Sequence, residues 1–375
     1  MYNQSPLIRE FEKAASLEYK DIGSHLPADR IPIAFFCPYV PEEMLHAAGA
    51  FPFRLIGPPI KMSRVQAHLP PNCCHLAKSS LESLLQGELE FLKGIIFSHT
   101  CDVMQGLSDI FLFQKRIPLQ FNLMMPTHLS SERSLPYLKE EIRRFKDFLD
   151  SNVGEVSSQN LASAIRLFNQ IREKIQRLYQ LRKKGPVLVL GDDFAHIIRA
   201  GYQMDRNRYL VLLNELLNEL PRNDETKAFV PVYLIGNMIH SPSYFTMIEE
   251  AGASVVYDNL CSGARFLRLM TREDIDPMDA IAERYLSSFL CPAKHGGASA
   301  HLETLIQEVG ESGAKGVIFL FYKYCEPHYF DYPDLKRALE ARSIPSLLLE
   351  VDDPATSQGQ LKIRIQAFIE MLSPI

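Results

Sequence analysis

Short, unbroken apolar runs recur along the chain, and most give way to segments of helical period. Eight of them read as buried strands: Ile31–Phe36, Gly94–His99, Pro118–Leu123, Pro186–Leu190, Phe229–Ile235, Ala253–Tyr257, Gly316–Tyr322 and Ser346–Val351. Continuous apolar runs of this kind predict parallel sheets covered by helices on both faces. The stretch Ser134–Lys184 instead keeps a 3.6-residue period through Leu138, Ile142, Phe145 and Leu149, then Leu161, Ile165, Phe168, Ile171, Ile175 and Leu178. Val153-Gly154 interrupts it, and Ser157-Ser158 supplies a cap for a second helix. A further helix covers about Asp205–Leu220, followed by a loop at Pro221-Arg222-Asn223-Asp224. The pattern predicts an α/β protein with two open, mostly parallel, Rossmann-like domains. These span residues 1–155 and 225–375, joined by a helical connector over 156–224, with Gln358–Leu372 as the closing helix.

Composition narrows the class. At 375 residues the chain is long enough for two or three domains. Forty Lys and Arg against 45 Asp and Glu give a net charge of −5, which argues against a nucleic-acid partner held by bulk positive charge. No apolar run approaches the roughly 20 residues that span a bilayer. The first 21 residues carry charge throughout and lack the apolar core of a secretion signal. The expectation is a cytoplasmic protein without a membrane partner. Its seven cysteines are then thiols, metal ligands or small core residues rather than disulfides.

Where those cysteines fall is informative. Cys37, Cys101, Cys261 and Cys325 each stand at or just past the carboxyl end of an expected strand, the edge at which open α/β sheets bind ligands. Cys73 and Cys74 open a helix running to about Gln86, and Cys291 precedes Pro292. A helix N-terminus favours a thiolate, the form that ligates metal. Several thiolates in one crevice would make a soft site for an iron–sulfur cluster or zinc. None of the cysteines stands in a C-x2-C pair, so any such site is assembled from distant segments. The alternative is that each is a small buried hydrophobe.

The segments around these cysteines resemble a known family. They are Phe36-Cys37-Pro38-Tyr39-Val40-Pro41-Glu42-Glu43 with Ala47-Ala48-Gly49-Ala50-Phe51-Pro52, then Asn72-Cys73-Cys74 with Lys78-Ser79-Ser80, then Thr100-Cys101-Asp102. Lys323-Tyr324-Cys325-Glu326-Pro327 follows, and then Gly359-Gln360 with Arg364 and Ala367-Phe368-Ile369-Glu370. In this order they are similar to the 2-hydroxyacyl-CoA dehydratase and benzoyl-CoA reductase subunits, over about residues 31–372. The resemblance implies a [4Fe-4S] cluster on Cys74, Cys101 and Cys325, with Cys74 preferred to Cys73 by its offset from Lys78-Ser79-Ser80. It implies one iron without a cysteine ligand, a related second subunit (an identical one being the alternative) and a separate ATP-dependent iron–sulfur activator. The implied substrate is an acyl-CoA thioester, which receives a low-potential electron for radical dehydration or aromatic-ring reduction. A side branch of the family carries a double-cubane cluster and reduces small molecules; Cys37, Cys261 and Cys291 are candidates for its additional ligands. A non-redox binding protein on the same scaffold, with zinc or nothing in the crevice, is the reading from another class. Ile363 stands where the family usually has Thr before the closing arginine.

Other residues invite roles with plainer alternatives. Glu42 and Glu43 open a helix beside Cys37, and Glu43 is a candidate proton acceptor or labile iron ligand; acidic residues also simply suit a first helical turn. His46 on the same helix is a candidate for proton transfer or a structural histidine. Arg265 and Arg268, with Arg272, have a spacing suited to CoA phosphates or to a solvated face. Gly191-Asp192-Asp193 reads as a helix cap rather than a metal turn. His295-Gly296-Gly297 reads as a site loop or a connector. The chain contains neither a Walker loop nor a G-x-G-x-x-G fingerprint, consistent with ATP being used by a partner.

Overall fold

The computed structural model describes residues 5–183, 189–220, 229–238, 241–287, 291–294, 298–352 and 358–373. The run Pro186–Leu190 lies outside these residues except for Val189 and Leu190, and so do the loop Pro221–Asp224 and His295-Gly296-Gly297. Among the described residues, eight strands form two sheets. The first holds β1 (Ile31–Phe35), β2 (Ala50–Arg54), β3 (Gly94–Ser98) and β4 (Leu119–Leu123) in the order β2-β1-β3-β4. The second holds β5 (Val230–Gly236), β6 (Ala253–Leu260), β7 (Gly316–Tyr322) and β8 (Ser346–Val351) in the order β6-β5-β7-β8. Every pairing is parallel, so both sheets repeat one open, doubly covered arrangement. In each, the strand order reverses between its first and third strands, which opens a crevice at the carboxyl edge.

Both faces of the first sheet are buried. Ile33, Phe35, Ile96 and Phe121 pack in the core that takes in the helix Ser134–Asn152. Ala34, Phe53, Ile95 and Phe97 face the helices His75–Gln86 and Asp102–Gln114. The expected break at Val153-Gly154 separates Ser134–Asn152 from the helix Ser158–Lys183, whose Ile165, Ile171 and Ile175 join the same core as Ile33 and Phe35. The helix Arg206–Glu219 starts at Asp205, whose carboxylate accepts from the Asn207 and Arg208 amides. Gly191 opens the helix Gly191–Ala200, so Asp192 and Asp193 occupy its first turn and Leu190 its cap position. The closing helix spans Gln358–Leu372, as expected.

Strand β2 lies in an apolar run, Ala50–Ile56, that Pro52 and Arg54 interrupt. Pro52 inside Ala-Phe-Pro-Phe-Arg argues against a central strand, but β2 is an edge, where a missing N–H is tolerated. Among the described residues, no helix is long and apolar enough to cross a membrane.

Candidate functional site: a crevice lined by six thiols

The carboxyl edges of the two sheets meet at one crevice of about 700 Å³, counting the space open to solvent. Six of the seven cysteines line it: Cys37, Cys74, Cys101, Cys261, Cys291 and Cys325. Cys73 is buried outside it. Phe36, Met104, Met238 and Tyr322 supply apolar wall, and among the described residues no carboxylate lines the space.

The thiols form two groupings. Cys74, Cys101 and Cys325 lie within electrostatic range of one another. Cys37, Cys261 and Cys291 do so separately, and the pairs Cys101–Cys37 and Cys325–Cys261 connect the two sets. Each member of the first set occupies an N-cap position. Cys74 precedes His75–Gln86, Cys101 precedes Asp102–Gln114 and Cys325 precedes the helix Glu326–Glu340. None of the three makes a side-chain cap hydrogen bond. First-turn amides and the helix dipole favour negative charge at all three sulfurs. Burial works the other way and wins: it pushes the Cys101 and Cys291 thiols up to about 12 and raises Cys37, Cys74 and Cys325. The protein alone therefore holds these groups as neutral thiols, against the lowered value expected from helix N-termini. An occupant that replaces the protons must supply compensating positive charge. Among the described residues, no three His, Cys, Asp or Glu side chains converge on one point, as ligands of a single ion must. The thiols surround a volume instead.

Polar groups around the sulfurs are ordered. His328 Nε2 lies 3.1 Å from the Gly236 carbonyl oxygen, which assigns the ring proton to Nε2. Nδ1 then faces Cys325 Sγ at 3.3 Å as an acceptor. Lys294 Nζ donates to the His99 and Met125 carbonyls at 2.9 and 3.3 Å, beside Cys37, Cys101 and Cys291. Gly236 ends β5 where the chain turns into Asn237 and Met238 of the crevice wall. A Cβ there would collide with the Leu320 carbonyl oxygen of β7, so only glycine lets the two strands approach. Gly236→Ala is expected to cost about 1–3 kcal/mol through overpacking, read as a lower urea midpoint.

The remaining candidates lie elsewhere or are already engaged. Glu43 is fully buried away from the crevice. Arg172 pairs with it, Tyr285 donates to it at 2.9 Å and the Thr271 hydroxyl at 3.4 Å. Burial alone would raise Glu43, yet Arg172 and Arg284 hold it down at about 2. Glu42 pairs with Arg206 at 2.7 Å. His46 packs its ring against Phe168; burial, with Arg30 and Arg206 nearby, lowers it to about 4. The three arginines do not form a phosphate row. Arg265 is buried on Asn259, the Gly236 carbonyl and Cys261 Sγ, the last at 2.9 Å. Arg268 pairs with Glu308, and Arg272 pairs with Asp274 and Glu283 at the surface. Ile363 is 70% exposed on the closing helix, where a hydroxyl would meet water.

Three polar crevice residues escaped the sequence reading, His328 among them. Arg54, the last residue of β2, is fully buried and lines the crevice, as does Asn237 just past β5. The only signal for Arg54 was a charge set inside the apolar run Phe51–Ile56.

The chain is similar to known proteins over nearly its whole length. The family described as 2-hydroxyglutaryl-CoA dehydratase, D-component, matches residues 37–372. The chain is 27% identical over 377 aligned residues to the beta subunit of (R)-2-hydroxyglutaryl-CoA dehydratase of Acidaminococcus fermentans, covering 98% of this chain and 99% of that one. It is 26% identical over 343 residues to the (R)-phenyllactyl-CoA dehydratase beta subunit of Clostridium sporogenes, covering 89% and 90%. It is 24% identical over 372 residues to a benzoyl-CoA reductase subunit of Thauera aromatica, covering 96% and 94%.

Proposed function

The chain belongs to the 2-hydroxyglutaryl-CoA dehydratase D-component family, and we propose that it is the iron–sulfur subunit of an acyl-CoA dehydratase or reductase. On this reading Cys74, Cys101 and Cys325 hold a [4Fe-4S] cluster. The observation that carries it is the placing of three thiols, each at a helix N-cap, around one apolar crevice. The donor set fits such a group, because a cluster is held by single thiolates at separate irons rather than by ligands meeting at one ion. When bound, the cluster would supply one-electron chemistry at low potential.

The chain's own residues do the rest. The helix N-termini stabilise the thiolates once their protons have left. His328 Nδ1 is placed to take the proton of Cys325. Phe36, Met104 and Tyr322 keep water from the sulfurs. The relatives are named as beta subunits of dehydratases and as one subunit of a reductase, which supports a second, unlike subunit as partner. An acyl-CoA substrate and an ATP-dependent activator follow from the same reading. A cytoplasmic setting belongs to the same reading.

A second reading is favoured by one specific observation: Cys37, Cys261 and Cys291 form another trio in the same crevice. Six thiols would suit a double-cubane cluster and a small-molecule reductase. Iron and acid-labile sulfide per chain, measured after anaerobic purification, separate the readings. About four of each is expected for the first, and about twice that iron for the second. Iron and sulfide near zero after reconstitution would overturn both.

A further inference from the structure

We propose that Arg54 is a positioning residue of the crevice, binding through its two terminal nitrogens an anionic sulfur group of the crevice's occupant. The inference rests on the iron–sulfur reading and names a contact which that reading leaves out. Arg54 Nε donates to the Phe36 carbonyl at 3.0 Å, and the guanidinium carbon lies 4.7 Å from the Tyr202 ring centroid and 5.7 Å from that of Phe266. These contacts fix the plane of the guanidinium. Both Nη atoms are buried and have no hydrogen-bond partner among the described residues. The Tyr202 hydroxyl, which donates to the Ser262 carbonyl at 3.3 Å, turns its lone pairs toward the Arg54 guanidinium, a neutral contact that leaves the charge uncompensated. Arg54 lines the crevice close enough to Cys37 for its charge to be felt there.

Asn237 repeats the pattern beside the other trio. Its Oδ1 accepts the Tyr322 amide at 2.8 Å, and its Nδ2, buried and without an oxygen acceptor, is turned to the Cys325 sulfur. Arg265 gives the contrast, since its nitrogens are taken up by Asn259, Gly236 and Cys261. A guanidinium keeps its charge in proteins. Burying one without a counter-charge is costly, and among the described residues no carboxylate lines this space. The missing partner is therefore an acceptor carried by the occupant. In a crevice walled by thiols and apolar side chains, the acceptor consistent with the site is sulfide or thiolate sulfur.

Arg54→Gln and Arg54→Lys test this on the full chain, purified anaerobically beside the wild type. The readouts are iron and sulfide content, melting temperature and the midpoint potential from an EPR-monitored titration. Arg54→Gln is expected to shift the potential to more negative values, because the added electron loses a neighbouring positive charge. Arg54→Lys is expected to recover most of that shift. A purely structural role would not move the potential of a fully loaded, normally melting protein. Loss of iron from Arg54→Gln at an unchanged melting temperature also supports the contact. Full loading with an unchanged potential overturns it.

Where Arg54→Gln does not fold, Arg54→Lys decides. With ¹⁵N-arginine label, pulsed EPR of the reduced wild type is expected to show nitrogen modulation that weakens in Arg54→Lys; equal modulation overturns the proposal. A wild type that takes up no iron or sulfide overturns the cluster reading and this contact with it, a result distinct from a loaded cluster indifferent to Arg54.

Discussion

Replacing Cys101 by alanine is expected to bring the iron content of the anaerobically purified chain to background while the protein stays folded. Cys101 is only partly buried, and its sulfur makes only weak contacts to the Val103 and Met104 amides, so alanine at that N-cap takes little from the helix Asp102–Gln114. The expected stability cost is about 1 kcal/mol, the ordinary size for a point substitution. A lost ligand is a different matter, because two thiolates and a hard oxygen ligand hold soft iron poorly. Iron, sulfide and a thermal melt on the same sample separate the two effects. Cys73→Ala serves as the control. Cys73 lies outside the crevice, so that variant is expected to keep its iron. Cys261→Ala divides the readings further. It leaves a four-iron site on Cys74, Cys101 and Cys325 intact but removes about half of an eight-iron content. Unchanged iron in Cys101→Ala would sink the assignment of the first trio.

The positions of these thiols were legible because the sequence marks both things that place them. Apolar runs such as Gly94–Ser98 and Gly316–Tyr322 announce a strand, and a cysteine just beyond the run sits at the carboxyl edge of a parallel sheet. What could not be read was convergence. Nothing in the local pattern brings Cys261 and Cys291 to Cys37; that depends on how the two sheets face each other. Strand β2 was hidden because Pro52 and Arg54 together break its apolar run, whereas Ile31–Phe36 and Phe229–Ile235 carry a proline but no charge. Arg54 was hidden for a related reason, because a charge within an apolar run normally marks a break that faces solvent. Arg265 and Arg268 had the right spacing for one face, yet the helix is a single turn, Ala264–Leu267, with Arg268 at its C-cap. Arg265 then turns into the thiol crevice and Arg268 toward Glu308.

Glu43 shows the same limit from the energetic side, and it carries the second large expectation. Its place on a helix beside Cys37 suggested chemistry, but the side chain is held by a buried ion pair to Arg172 and by Tyr285. Removing one member of such a pair strands the other without compensation. Glu43→Gln is accordingly expected to cost about 3–5 kcal/mol at neutral pH, measured by urea denaturation. Glu43→Gln combined with Arg172→Met is expected to recover much of that loss, since neither charge is then stranded. The pH dependence has a definite sign. Glu43 titrates at about 2 in the folded chain against 4.5 ordinarily, so its ionised form binds the fold more strongly than its protonated form. The contribution is fully present above about pH 4.5 and fades as pH falls toward 2. Glu82 behaves alike, held at about 2 by Gln86, the Ser63 hydroxyl and the Arg64 and Val65 amides. Wild-type acid sensitivity therefore sums at least two carboxylates, and the difference between wild type and Glu43→Gln isolates one. That difference should shrink across the window from 4.5 to 2. A Glu43 that served as a labile iron ligand would behave otherwise: Glu43→Gln would change the EPR signal of the loaded protein while leaving the urea midpoint in place. The buried pair with Arg172 leads to the opposite outcome, a lowered midpoint and an unaltered signal.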